Sequence, residues 1–208
     1  GTIGIGHTRW ATHGPPTQIN AHPHTDPAKA VAIVHNGVIE NYRKIKEQLE
    51  EQGHVFCSAT DSEVIAHLIA ATLEEVRDQI ADSADADVHD LLRQVVSSAV
   101  AQLQGTYGLV VLFTEFPDVM VAARLGSPLV VGVGNGEYFV ASDASPLAGY
   151  ANKIVYLADH QRAVLSQNSL HVTHREHGRV QPSIEPLQID TNQAELNGFP
   201  HYMLKEIF

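Results

Sequence analysis

Residues 107–141 read YGLVVLFTEFPDVMVAARLGSPLVVGVGNGEYFVA, and this stretch decides the fold. Phe116-Pro117-Asp118 and Asn135-Gly136 are typical of tight turns, and short runs rich in β-branched and aromatic residues lie around them. The stretch therefore predicts consecutive antiparallel strands. Together with two further runs downstream, the predicted strands span residues 107–113, 119–124, 129–133, 138–141, 154–157 and 163–166.

Upstream of this stretch the sequence alternates between short strands and helices. Helical spacing of apolar residues predicts a helix over 41–52, and Thr60-Asp61-Ser62-Glu63 has the form of a capping box that starts a second helix. Asp87 is the predicted N-cap of a third helix. Strands are predicted at 2–8, 30–34 and 54–57, with a turn at His35-Asn36-Gly37 after the second. This order predicts an α+β fold of antiparallel sheets covered by helices.

Composition excludes several classes of function. The formal net charge of −11 argues against binding to a nucleic-acid backbone, which requires clustered Lys and Arg. No run of 18 apolar residues and no secretory signal is present, so we expect a cytoplasmic protein with no membrane partner. The single cysteine, Cys57, excludes an internal disulfide, and a buried or structural role is expected for it rather than a catalytic one.

A few polar residues match what a free amino acid needs from its binding site. Arg9 offers a guanidinium for an α-carboxylate, and Asp61 offers a carboxylate for an α-ammonium group. The side-chain amide of Asn36 and the backbone N–H of Gly37 are donors that could stabilise an oxyanion if a side-chain amide is cleaved. The histidines at 7, 13, 22, 24 and 35 fit no zinc-binding spacing, so no metal is expected.

Four motifs in this order carry a resemblance to a known family. GHTRWATHG (6–14), NAHPH (20–24), VHNGVIEN (34–41) and the Thr-Asp-Ser-Glu helix start resemble the class II glutamine amidotransferases, the N-terminal-nucleophile family. Within it, HYMLKEIF (201–208) resembles the segment that joins the glutaminase domain to the sugar isomerase domains in glutamine–fructose-6-phosphate aminotransferases.

The resemblance implies a four-layer αββα sandwich of antiparallel sheets, incomplete at the N-terminus. It implies a glutamine amidotransferase domain over 1–180 and a linker over 181–208, with no cofactor. It also implies that Asn36 and Gly37 form the oxyanion hole. The residues implied to hold glutamine are Arg9, Trp10, Thr12, His13 and Asp61.

Members of this family begin at a cysteine that attacks the glutamine amide, whereas this chain begins at Gly1. We therefore expect the nucleophile upstream and the 208 residues alone to be inactive. The implied parent enzyme is a homodimer whose sugar isomerase domains use the ammonia to convert fructose 6-phosphate to glucosamine 6-phosphate. The alternatives are a non-catalytic glutamine-binding module, an amidophosphoribosyltransferase-like enzyme and a histidine-based metal hydrolase.

Overall fold

The computed structural model describes residues 3–9, 13–80, 87–187, 200 and 204 of the 208-residue chain. These residues form two antiparallel β-sheets and three α-helices, which confirms the predicted α+β class. The helices are α1 (Tyr42–Glu51), α2 (Asp61–Ile80) and α3 (Val88–Val100). The strands are β1 (His24–Thr25), β2 (Val31–Ile39), β3 (Gly105–Phe113), β4 (Met120–Leu125), β5 (Val130–Val133), β6 (Tyr138–Ala141), β7 (Lys153–Tyr156), β8 (Gln161–Ser166), β9 (Ser169–His174), β10 (Gly178–Val180) and β11 (Glu185–Pro186).

The larger sheet has seven strands in the order β1-β2-β3-β4-β8-β9-β10, and the smaller one has the order β11-β7-β5-β6. The pairing of β2 with β3 runs from Val31 opposite Phe113 to Ile39 opposite Gly105. This long pairing fixes the position of the second half of β2, where the candidate residues Asn36 and Gly37 lie.

The two faces of the larger sheet bury different cores. On β3, Leu109 and Val111 belong to the cluster that packs under the helices, whereas Val110 belongs to the cluster between the two sheets. The alternation follows from the two-residue period of a strand, which sends successive side chains to opposite faces. The apolar face of α2 contributes Ile65 and Ile69, both fully buried, to the first cluster.

The outer face of the smaller sheet carries a third apolar cluster. Val130 and Ile154 pack there against Leu147 of the 3-10 helix Ser145–Leu147. The described residues therefore stack as helices, large sheet, small sheet and this short helix. The implied αββα sandwich has a helical fourth layer. Within the described part of the chain, the 3-10 helix Ser145–Leu147 is the helical element of that layer.

Several element predictions are confirmed within a residue or two. The helix predicted over 41–52 is α1, and the strand predicted over 138–141 is β6. Asp87 is the N-cap of α3, because its carboxylate accepts from the backbone N–H of His89 over 3.0 Å. The short strands β1, β9, β10 and β11 were not predicted. The boundary at residue 180 stays a prediction, and β11 lies beyond it and pairs with β7.

Two predicted strands are wrong. Residues 3–8, the described part of the strand predicted over 2–8, and residues 54–57 form no strand. The backbone N–H of Cys57 donates to the Glu63 carboxylate instead of to a neighbouring strand. An apolar run of strand length becomes a strand only where a partner completes the ladder of hydrogen bonds, and neither segment has such a partner among the described strands.

The turn predicted at His35-Asn36-Gly37 is also wrong, because β2 continues through it to Ile39. Gly37 has a φ of +132° and lies opposite Tyr107. A Cβ atom at this position would collide with the backbone carbonyl of Thr106 on β3. The glycine thus permits a close approach of two strands, and it does not reverse the chain.

None of the helices in the described part of the chain combines the length and the apolar character needed to cross a membrane.

Candidate functional site

A cavity of about 140 Å³ brings together the predicted site residues that the structure describes. It lies where the loop after residue 7, the second half of β2 and the N-terminus of α2 meet, and Arg9, His13, Asn36, Gly37 and Asp61 all line it. The other two predicted residues, Trp10 and Thr12, lie outside the described residues. The wall is completed by His7, His22, His35, Thr60 and Ser62.

The side-chain amide of Asn36 has a fixed orientation. The backbone N–H of Arg9 donates to Nδ1 of His7 over 2.9 Å, so Nδ1 is an acceptor and the ring N–H is on Nε2. That Nε2–H donates to Oδ1 of Asn36 over 2.5 Å. Because the Asn36 oxygen is occupied, its Nδ2 group is the part of the amide left to donate to a ligand.

Gly37 follows Asn36 on the same wall of the cavity. The Cβ atom that Gly37 lacks would point toward β3, where it would meet the Thr106 carbonyl. The Asn36 amide and the Gly37 backbone are adjacent along β2, and both residues line the cavity.

Arg9 has a backbone φ of +53°, in the left-handed region that non-glycine residues seldom occupy. Its guanidinium donates to the backbone carbonyls of His13, over 2.6 Å, and of Pro15, over 3.1 Å. These bonds hold the loop over 13–15 in place. A guanidinium has five N–H donors, so donors remain for an anionic ligand.

Asp61 is the first residue of α2 and is only 3% exposed. Its Oδ2 accepts from the backbone N–H of Ile39 over 2.9 Å, which ties the start of the helix to the end of β2. Its Oδ1 lies 3.7 Å from Nδ1 of His13, a buried nitrogen with no hydrogen-bond partner in the described part of the chain. The Asp61 carboxylate thus lies at the positive end of the helix dipole.

The N-terminus of α2 is anchored by Glu63. Its carboxylate accepts from the backbone N–H groups of Cys57 and Ser58 over 2.8 and 2.6 Å. Burial raises its pKa, but hydrogen bonds from His67, Cys57 and Ser58 outweigh burial and bring the pKa of Glu63 down to about 2. The predicted capping box is half present, because the Glu63 N–H donates to Thr60 Oγ1 over 3.2 Å while its carboxylate binds earlier residues.

Two imidazoles of the cavity wall, those of His22 and His35, are uncharged at neutral pH. Burial lowers the pKa of His22 to about 3. Burial also lowers the pKa of His35, whose Nδ1 lies 3.0 Å from Ser62 Oγ. The opposite charges of Arg9 and Asp61 therefore dominate the polarity of the cavity.

Sequence reasoning did not single out His7 as a site residue. The signal that could have found it is its spacing, two residues before Arg9 at the head of the first motif. Cys57, by contrast, is exposed and does not line the cavity. Among the described residues, no three His, Cys, Asp or Glu side chains lie close enough together to hold a metal ion.

Comparison with known proteins places these residues in a family. The family model that matches, over residues 7–149, is described as a glutamine amidotransferase domain. The glutamine–fructose-6-phosphate aminotransferase (isomerizing) of Chlorobaculum tepidum is 44% identical over 207 residues, which are 100% of this chain and 32% of that protein. The enzyme of the same name from Methanothermobacter thermautotrophicus is 42% identical, with 100% of this chain and 33% of that protein covered. The chain thus spans about a third of the length of these relatives.

Two solved structures are similar to this chain in fold. The glutamine phosphoribosylpyrophosphate amidotransferase of B. subtilis matches 88% of this chain and 34% of its own, with a TM-score of 0.57 and 22% identity. A structure described as the allosteric regulatory enzyme of purine biosynthesis matches 88% of this chain and 35% of its own, with a TM-score of 0.56 and 23% identity. These likenesses support the sandwich fold.

Proposed function

This chain belongs to the glutamine amidotransferase family, and from that premise we propose that its cavity binds glutamine as the glutaminase part of a glutamine–fructose-6-phosphate aminotransferase. One observation carries the proposal: a guanidinium, a buried carboxylate and an oriented amide donor line the same cavity, on Arg9, Asp61 and Asn36. The cavity volume of about 140 Å³ is below the range of about 300–1,000 Å³ usual for drug-sized ligands, which suits a single amino acid.

Each polar group of glutamine has a complement in the cavity. The α-carboxylate pairs with the N–H donors that Arg9 does not use for its own loop, and the α-ammonium group pairs with Oδ1 of Asp61. Trp10, Thr12 and His13 complete the binding site in this proposal. The side-chain carbonyl oxygen lies at the Asn36 amide and the Gly37 backbone N–H.

Asn36 and Gly37 form the oxyanion hole of the reaction. A cysteine thiol upstream of Gly1 attacks the amide carbon, the carbonyl oxygen becomes an oxyanion, and ammonia leaves as the thioester forms. Water then releases glutamate. Each donor to such an oxyanion lowers the barrier by about 3 kcal/mol, and the donor geometry requires the Asn36 amide to keep the orientation that His7 sets.

The released ammonia is transferred to fructose 6-phosphate on sugar isomerase domains of the complete protein. The identity of 41–44% to enzymes of this name supports that acceptor. In this proposal residues 1–180 are the amidotransferase domain, residues 181–208 lead toward the isomerase domains, and the complete enzyme is a cytoplasmic homodimer.

Glutamate release from glutamine tests the reaction. We expect none from the 208-residue chain and clear activity from the chain with its upstream segment restored, and Cys57→Ala should leave that activity unchanged. Activity of the 208-residue chain that disappears in Cys57→Ala would overturn the assignment of the nucleophile. For the complete protein, fructose 6-phosphate should accept ammonia and phosphoribosyl pyrophosphate should not. The opposite preference would identify the amidophosphoribosyltransferase alternative.

A further inference from the structure

A groove on the helix side of the larger sheet is not used by the proposed glutamine chemistry. It has a volume of about 630 Å³, and it lies between α3 and the strands β8, β9 and β10. The sheet extends past the helices at this end. Arg162 of β8 and Thr173 of β9 form its floor, and Arg93 and Ser97 of α3 form one wall.

Arg162 is the unusual residue of this groove, because it is only 7% exposed and yet forms no ion pair with any residue that the structure describes. Its Nε is buried without a hydrogen-bond partner, and no described carboxylate forms an ion pair with its guanidinium. The described arginines that do form ion pairs are Arg77, Arg93 and Arg124. A buried charge without a partner is strongly unfavourable unless a ligand or another part of the complete protein supplies the countercharge.

The surroundings of Arg162 are basic. Burial lowers its pKa, the positive charges of Arg175 and Arg93 lower it further, and the phenol of Tyr107 acts in the opposite direction. Arg175 and Arg179 stand exposed at the rim, so four of the chain's 13 lysine and arginine residues line this groove.

The two carboxylates of the groove are already engaged. Asp87 caps α3, and Asp90 accepts from Arg93 over 2.8 Å and from Gln94 over 2.8 Å. Neither forms an ion pair with Arg162. Two hydroxyl groups, those of Ser97 and Thr173, are also buried here without hydrogen-bond partners in the described part of the chain. The groove therefore offers the guanidinium of Arg162 and two hydroxyl groups as unused hydrogen-bond donors.

We propose that this groove binds the phosphate or diphosphate group of a small anionic metabolite, with Arg162 as the buried anchor and Arg175 and Arg179 closing on it from the rim. The planar guanidinium matches phosphate oxygens in bidentate fashion, and hydroxyl groups are common additional donors. A volume of about 630 Å³ is in the range of small-molecule pockets. The net charge of −11 disfavours a nucleic acid as the ligand.

Pyrophosphate is a suitable probe for this site. Its binding to the 208-residue chain is measured by calorimetry and by thermal unfolding, with ionic strength held constant by NaCl. We expect saturable binding and a rise in Tm with pyrophosphate, and weaker binding of inorganic phosphate. Arg162→Met should weaken pyrophosphate binding at least tenfold. Without anion it should have a Tm above that of the wild type, because it removes an unpaired buried charge.

Two further variants complete the test. Arg175→Gln, at the exposed rim, should keep the wild-type Tm and weaken pyrophosphate binding several-fold. Arg43→Gln, exposed on α1 and remote from the groove, should bind as the wild type does. The proposal is wrong if pyrophosphate does not bind saturably, if Arg162→Met binds it unchanged, or if Arg162→Met is less stable than the wild type without anion. Glutamine binding, unaffected by Arg162→Met, reports separately on the other site.

Discussion

At the scale of single residues, the candidate site depends on one side chain controlling another. His7 accepts from the Arg9 backbone N–H and donates to Asn36 Oδ1. The first hydrogen bond fixes the imidazole tautomer, and the tautomer decides that the Nδ2 end of the Asn36 amide, and not its oxygen, faces the ligand. A reversed amide would present an oxygen to the developing oxyanion and repel it. His7 is therefore a positioning residue of the proposed reaction.

Substitution of His7 by alanine tests this positioning role in the active, complete enzyme. Asn36 would then lose the donor that fixes the orientation of its amide. We expect kcat to fall about 10- to 100-fold, which is less than the fall that removal of an oxyanion donor causes, because Asn36 itself remains. The KM for glutamine should change little, because Arg9 and Asp61 remain. His177→Ala, at an exposed position, is the control and should leave kcat unchanged. A rise in KM with unchanged kcat would contradict the role.

Gly37 is the other residue whose identity the site requires. Gly37→Ala should lower the free energy of unfolding by about 2 to 3 kcal/mol, since it combines an unfavourable φ with a collision against Thr106. Gly136→Ala is a matched control, because Gly136 also has a positive φ, +74°, but has open space around it. Denaturant unfolding of both variants checks this, and equal losses would show that the collision is not decisive.

At the scale of elements, the N-terminus of α2 is the piece that positions Asp61. The sequence predicted this helix start correctly from Thr60 and Glu63. It could not predict that the Glu63 carboxylate would bind the backbone of Cys57 and Ser58, because those contacts depend on how the preceding segment folds back. The segment over 54–57 is held by this carboxylate, and the strand predicted there is absent.

Replacement of Glu63 by glutamine measures the strength of this anchor. The variant loses the charge-assisted hydrogen bonds to the backbone N–H groups of Cys57 and Ser58, and we expect a loss of about 2 kcal/mol in unfolding free energy at pH 7. Glu75→Gln, exposed on the same helix, should cost less than about 0.5 kcal/mol. Urea unfolding of the three proteins makes the comparison.

The pH dependence of the same anchor has a definite sign. The pKa of Glu63 is about 2 in the folded chain and 4.5 without these contacts, so its ionised form is favoured by folding. Its stabilising contribution is complete above pH 4.5 and is lost as the pH falls from there toward 2. The stability difference between the wild type and Glu63→Gln should therefore shrink over this interval. If the stability difference between the two proteins stays constant down to pH 2, the lowered pKa of Glu63 is not the source of this stabilisation.

Local sequence patterns predicted two of the turns between strands correctly and a third one wrongly. The turns at Phe116-Pro117-Asp118 and Asn135-Gly136 are confirmed. In each case the strands on the two sides of the turn pair with each other, β3 with β4 and β5 with β6. Asn36-Gly37 has the same turn chemistry, yet it lies inside β2, since the pairing with β3 over the whole strand outweighs the local preference. Only the long-range partner distinguishes the two cases.

At the scale of the whole molecule, the larger sheet carries two separate polar regions. The glutamine cavity lies at the second half of β2 and the start of α2, whereas the basic groove lies at β8, β9 and β10, with β3 and β4 between them in strand order. Half of the cavity residues could be predicted, namely Arg9, His13, Asn36, Gly37 and Asp61, because each lies in a short motif that is contiguous in sequence. The groove could not, because Arg93 is 69 residues from Arg162, no shared motif links them, and α3 and β8 come together only in the folded chain.

Direct binding of L-glutamine to the 208-residue chain tests the central claim, that this cavity is an amino acid site. Calorimetry should show saturable binding with one glutamine per chain, weakened at least tenfold by Asp61→Asn, which removes the partner of the α-ammonium group. Asp118→Asn, at an exposed turn, should bind as the wild type does. Absence of binding, or equal affinity of the Asp61→Asn variant, would contradict the account.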